Sequence, residues 1–185
     1  MMKLLSRMLC PLLLWELLFS QMPLSKEATL IEQVSSSEWL LEATGKYMSS
    51  EKRERKAKKD VDKNGVAKAT EDAKKAAVYY VLFGGTDPLI QSPQERHKFD
   101  KYESFYFDRS NVSRYISWGE SAFQKKVKIS GGKGLKVLKR FKINKTILMK
   151  DLENHNILEA RADLADVLGN PFIMVLPAVE KGVNP

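Results

Sequence analysis

From Ser49 onward the residues Ala57, Val61, Gly65, Ala69, Ala73 and Ala76 recur every three or four positions, and Tyr80 closes the row. That spacing places them on one face of a long amphipathic α-helix, with Ala77 and Val81 widening the stripe at its end. A stripe of Ala and Gly offers little apolar surface, but it lets a backbone come very near a flat partner. A sheet is therefore expected against this helix. Ser49 or Ser50 can cap its start. Gly84-Gly85 followed by Asp87-Pro88 stops it, and Asn64-Gly65 is a point where it can fray or break.

The flanking segments supply that sheet. In residues 38–48 (EWLLEATGKYM), Trp39, Leu41, Ala43, Gly45 and Tyr47 share one face of a strand. Glu38, Glu42, Thr44 and Lys46 take the other, with Leu40 as the exception. Residues 121–130 and 135–144 form a hairpin through Gly131-Gly132-Lys133-Gly134. Leu135, Val137, Phe141 and Ile143 point one way, and Lys136, Arg140 and Lys142 the other with Leu138. Ser92-Pro93-Gln94-Glu95 is a capping-box pattern that starts a second helix burying Phe99, Tyr102 and Tyr106. A turn or short helix spans Val112 to Trp118, and residues 146–154 read as a helix capped by Asn144 or Thr146. Residues 160–168 suit another short helix, and the apolar run Pro171 to Pro177 suits a buried strand. The fold class is α+β: strand, long Ala-rich helix, helix, β-hairpin and helix around a small, mostly antiparallel sheet, plus one terminal buried strand.

The first twenty residues carry Lys3 and Arg7 ahead of an apolar run from Met8 to Phe19. This is the layout of a signal peptide at 1–20, with Gln21 as the first mature residue, although Glu16 interrupts the run. The alternative is an uncleaved amphipathic first helix in a cytoplasmic chain. Residues 21–37, polar and Ser-rich toward the end, read as a linker or short helix. Residues 38–158 form the α+β module. A buried strand at 171–177 needs neighbours: either it joins the sheet already built, or it opens a second domain, and residues 159–185 are read here as the start of such a second, truncated domain.

Chemistry-bearing residues are few. The single cysteine, Cys10, rules out an intramolecular disulfide and a Cys-based metal site. His97 and His155 have no metal-ligand companion at helical spacing. The GGKG run lacks the Ser/Thr and the following helix of a phosphate loop. Nothing supplies a nucleophile with its base, so the expectation is no enzyme, no cofactor, no metal and no small-molecule substrate.

Charge is the stronger signal: the chain has net charge +8, and residues 125–150 hold ten Lys/Arg and no Asp/Glu. Lys126, Lys128, Lys136, Arg140 and Lys142 are expected on one outward face. They serve either an anionic partner (lipid head groups, an acidic protein or nucleic acid) or a solvated sheet face offset by Glu38 and Glu42. Nucleic acid is the weakest of these partners, because neither hairpin strand has outward aromatics. Phe99, Tyr102, Phe105 and Tyr106 form a dense aromatic group with two readings: a helix packed onto the core, or a partner-contact patch. Asn111-Val112-Ser113 and Asn144-Lys145-Thr146 match glycosylation sequons by chance.

Residues 38–177 carry, in order, EATGKYM, AKKDVDKNGVAKATEDAKKAAVYYVL, SRYISWGE, LKVLKRFKINKTILMKDLENHNI and GNPFIMVLP. This succession resembles the N-terminal α+β module of the flagellar outer-ring T-protein and related small envelope lipoproteins. There a strand leads to a helix with Ala every four residues, then a Tyr-containing segment, a hairpin and a V-x-V-N-x-x-x-L-x-x-x-L close. Phe141, Ile143, Asn144, Leu148 and Leu152 stand at that close here. The next strand in those families opens a domain similar to TolB-like and curli-secretion proteins, with PFIMVLP in its place. The chain departs from the pattern in its basic helix start at Lys52 to Lys59, an insertion around 88–108 and the missing second domain. The resemblance implies a periplasmic or outer-membrane-associated assembly role, an envelope protein partner or self-assembly, and no catalytic residues.

Overall fold

A computed structural model describes residues 22–158. The expected signal segment at 1–20, the helix at 160–168, the apolar run at 171–177 and the domain it would open lie outside the described residues.

The described residues form an α+β fold. Its strands are β1 (Ala28–Gln33), β2 (Glu38–Met48), β3 (Ile116–Gly119), β4 (Lys125–Ile129) and β5 (Gly134–Asn144). Its helices are α1 (Glu54–Phe83), α2 (Pro93–Asp100), α3 (Glu103–Tyr106), α4 (Arg109–Tyr115) and α5 (Lys145–Asn154). The sheet runs β1-β2-β5-β3, with β4 also paired to β5, and every pairing is antiparallel. β3 and β4 share one edge of β5, opposite residues 141–143 and 134–138 respectively.

The long helix lies across β2 and β5 with its small-residue stripe inward. Ala57, Ala69, Ala73 and Ala76 are wholly buried, and Leu41, Ala43, Leu135, Val137, Phe141 and Ile143 of the sheet bury on the same side. The helix does not break at Asn64-Gly65: it is continuous over 30 residues. Gly65 instead lets Leu135 approach, and the Asn64 amide donates to Asp60 Oδ1 at 2.8 Å. Neither serine caps its start. The cap position is Arg53, with no side-chain hydrogen bond, because the Ser49 hydroxyl is drawn to Asp60 Oδ2 at 2.6 Å.

Three segments differ from expectation. Within the segment expected as a linker, residues 28–33 are a strand: β1 pairs with β2, setting Ala28 against Ala43 and Leu30 against Leu41. A register shift between Leu30 and Glu32 interrupts its alternation after three residues, which hides the strand from a periodicity reading. The helix begun by the Ser92–Glu95 capping box ends at Asp100, where Lys101 and Tyr102 bond back to Lys98 and Phe99 in tight i→i+3 turns, and it resumes as α3. Beyond α4 the segment holding Trp118 is strand β3. The Asn144 side chain does cap α5, accepting from the Ile147 N–H at 3.1 Å.

Candidate interaction surface

Directly opposed residues of an antiparallel pair share a face, so the registers sort every strand side chain. Away from α1, one row runs Glu32, Leu40, Lys142, Trp118 across four strands. The next rows are Thr29, Glu42, Arg140; then Thr44, Leu138, Lys125; then Lys46, Lys136, Val127. α1 lies against the other side, where the core is. Trp118 at 45% and Val127 at 40% exposure stand on this open face, and Leu40 and Leu138 are half-buried between them.

The five hairpin cations do not share that face. Lys126 opposes Val137 and Lys128 opposes Leu135, both core-facing residues, so these two lysines point to the helix side. Lys128 accordingly pairs with Asp62 of α1 at 2.7 Å. The expectation failed because β4 enters the sheet one residue out of phase with the pattern assumed for it, and one residue exchanges the faces of a strand. Lys136, Arg140 and Lys142 do face outward.

Two of those three are already matched. Arg140 pairs with Glu42 directly across the strands at 3.3 Å. Lys136 and Lys46 both reach Glu27, at 2.8 Å each. Hydrogen bonds from Lys136 and then Lys46 hold the Glu27 carboxyl down at about 2. Glu27 lies in the segment read as a linker, so its role as counter-charge was invisible in the sequence. The Glu38 side chain, expected to offset the cations, makes no ion pair among the described residues. Lys142, beside Trp118, likewise has no acidic partner among them.

The aromatic group is core, not a contact patch. Phe99 and Tyr106 are wholly buried, and Phe105 is partly so. Phe99 stacks on Tyr106 with centroids 5.0 Å apart and meets Phe83 of α1 edge-on at the same separation. Tyr102, at 38% exposure, is the most exposed of the four, and its ring stacks on His155 at 4.4 Å. His155 Nδ1 lies 2.9 Å from the Tyr106 hydroxyl, so the histidine closes α5 onto the aromatic cluster. Burial pushes the Tyr106 phenol up, and burial together with its bond to Asp151 does the same to Tyr115.

One further polar centre escaped the sequence reading. Asp72 projects from α1 and is 8% exposed. Its carboxylate accepts three backbone N–H bonds, from Leu24 at 2.6 Å, Ser25 at 3.1 Å and Lys46 at 2.8 Å. It ties residues 24–25 and the β2 edge to the long helix. Burial raises its pKa despite those three bonds. A carboxylate within a small-residue stripe is the signal that could have found it. No group of three or more His, Cys, Asp or Glu among the described residues is placed to hold a metal ion, and none of the described helices is long and apolar enough to cross a membrane.

Comparisons with family models, curated proteins and solved structures find no match to this chain.

Proposed function

We propose that this is an exported, non-enzymatic module of a cell envelope that works by protein–protein contact through the open face of its sheet. One observation carries the proposal. α1 covers one side of the sheet, while the other side presents Trp118 and Leu40 in one cross-strand row and Leu138 and Val127 in two others, with the Glu42–Arg140 ion pair between them. Protein interfaces mix exposed aromatic and aliphatic anchors with polar groups in this way. Lys3, Arg7 and the apolar run to Phe19 support export, and the likeness of residues 38–177 to the flagellar outer-ring module supports an envelope setting.

The other reading, an anionic surface gripped by the basic hairpin, has less support. Lys126 and Lys128 point away from the outward trio, and Glu42 and Glu27 already meet Arg140 and Lys136.

The test places a photo-crosslinking residue at position 118 of the full chain in its native cells. A control carries the same residue at Lys56, exposed on α1. The expected result is a discrete adduct from position 118 in the envelope fraction, and none from position 56. No adduct from 118, or equal adducts from both, sinks the proposal. N-terminal sequencing of the envelope protein is expected to begin near Gln21, and full-length protein confined to the cytosol would remove the export half.

A further inference from the structure

Ala28 is the first residue of β1 paired with β2, and it sits opposite Ala43, so from Thr44 toward Met48 β2 keeps β5 on one side and has no strand on the other. A cavity of about 430 Å³ opens along this stretch, within the range of about 300–1,000 Å³ typical of small-molecule sites. Met22, Leu24 and Val112 supply apolar wall, from the leading segment and from α4. Lys68 and, about two turns further along α1, the adjacent Lys74 and Lys75 line it, with Arg109 from the start of α4.

The two lining acids are engaged. Asp72 holds its three backbone N–H groups, and Glu71 pairs with Arg109 at 2.9 Å. Lys68 makes no ion pair among the described residues: it donates to the Tyr47 phenol at 3.2 Å and lies over the same ring at 4.7 Å, with the Asp60 carboxylate beyond that phenol helped by its charge. The Lys74 ammonium has no ion pair or hydrogen bond among the described residues. Lys75 is half-buried in the wall, where burial pulls its ammonium pKa down. Asp72, Glu71 and Asp108 act on the Lys75 ammonium, which leaves Lys68 and Lys74 as the lining lysines without an ion pair among the described residues, and on a partly apolar cavity these two form a receptor for an anion. Two ammonium groups suit a compact dianion, since lysine binds phosphate as a point charge.

We propose that this cavity binds a small phosphate monoester, with Lys68 and Lys74 holding the phosphate and Met22, Leu24 and Val112 holding a short apolar body. This gives the molecule a ligand site separate from the open sheet face, where the sequence alone indicated no small molecule.

The experiment is an amide-resolved NMR titration of the full chain with three probes: phenyl phosphate, inorganic phosphate and benzyl alcohol. Phenyl phosphate is expected to bind saturably with Kd below about 1 mM, shifting the Leu24 and Val112 amides. Inorganic phosphate, lacking the apolar body, is expected to bind about tenfold more weakly. Benzyl alcohol, lacking the charge, should give no saturable shift. The double variant Lys68→Gln/Lys74→Gln should weaken phenyl phosphate about tenfold or more. Lys74→Gln alone breaks no bond in the fold and should weaken it about threefold. Absence of a saturable phenyl phosphate shift overturns the proposal, as does an unchanged Kd in Lys74→Gln. Benzyl alcohol binding as tightly as phenyl phosphate would remove the lysines' role, and inorganic phosphate doing so would remove the apolar wall's.

Discussion

Gly45 of β2 lies so near α1 that a Cβ on it would stand 1.8 Å from the Ala69 carbonyl oxygen. It would also stand 2.8 Å from the Ala73 Cβ. Both contacts are shorter than any packed interior permits, and the nearer one is to rigid helix backbone. Hydrogen is therefore the only substituent position 45 accepts while the helix keeps its place. Gly45→Ala is expected to destabilise by about 3 kcal/mol and Ala73→Leu by about 2 kcal/mol, both through overpacking. The check is a shift of the denaturation midpoint at constant slope. A neutral Gly45→Ala would mean that helix and sheet are farther apart than described.

Asp72 secures what the glycine permits. Beyond Ala43 β2 has no strand on its β1 side, and there the Asp72 carboxylate takes the Lys46 N–H in that strand's place. Asp72→Asn keeps the shape but leaves one acceptor oxygen for three donors and turns an NH2 group toward an N–H. The expected cost is about 2 kcal/mol, that of a buried donor left unsatisfied. Amide hydrogen exchange should show lost protection at Leu24, Ser25 and Lys46 before the β5 amides change. Uniform loss across the sheet would show that the clamp is not a local device.

The acid limb of stability should carry the signature of Asp60. Its carboxylate accepts from Ser49, Tyr47 and Asn64, and those bonds, in that order, hold it down at about 2. A carboxylate with a depressed folded pKa adds stability at pH values above its unfolded pKa of about 3.9. That contribution is lost as pH falls from about 4 toward about 2. Asp60→Asn should therefore be less stable than the parent at pH 6, with the difference closing below about pH 3. A difference that stays constant from pH 6 to pH 2 would remove Asp60 from the acid response.

Side chains with strong periodicity were readable in advance, and those defined by register were not. The Ala/Gly stripe, the inward face of β2, the Ser92–Glu95 box and the Asn144 cap each follow from spacing alone, and each is where spacing put it. β1 was hidden because its bulge leaves only Ala28, Thr29 and Leu30 in phase. Lys126 and Lys128 were misplaced because Ser130, at φ 52°, and the turn glycines fix how β4 meets β5, and no residue pattern reports that offset. Phe99 and Tyr106 were ambiguous because a cluster of rings reads alike whether it fills a core or covers a surface. The packing of Phe83 and His155 around them decides it. Asp72 and Glu27 act across the fold on residues distant in sequence, and only the assembled sheet brings those partners together.

The two faces of the hairpin provide the last prediction, because they separate contact by an apolar patch from attraction by a field. Exposed ion pairs contribute little to stability, about 0.2–1 kcal/mol each. Lys136→Gln/Lys142→Gln on the open face and Lys126→Gln/Lys128→Gln on the helix side should therefore each move the unfolding free energy by no more than about 1 kcal/mol. Trp118→Ala should be equally mild, since the ring is 45% exposed. Binding should divide the variants. Under the sheet-face reading, Trp118→Ala abolishes crosslinking from a photo-reactive residue placed at Leu40, in the same cross-strand row, while both lysine pairs keep it. Raising salt to about 0.5 M, where screening shortens to roughly 4 Å, should leave that adduct intact. A field-driven surface behaves in the opposite way. Co-sedimentation with anionic lipid vesicles would then be strong at low salt, fall steeply at physiological salt, and vanish in Lys136→Gln/Lys142→Gln while surviving Trp118→Ala. The paired state of Lys136 and Arg140 predicts the first pattern, and the second would transfer the function from Trp118 to the charges beside it.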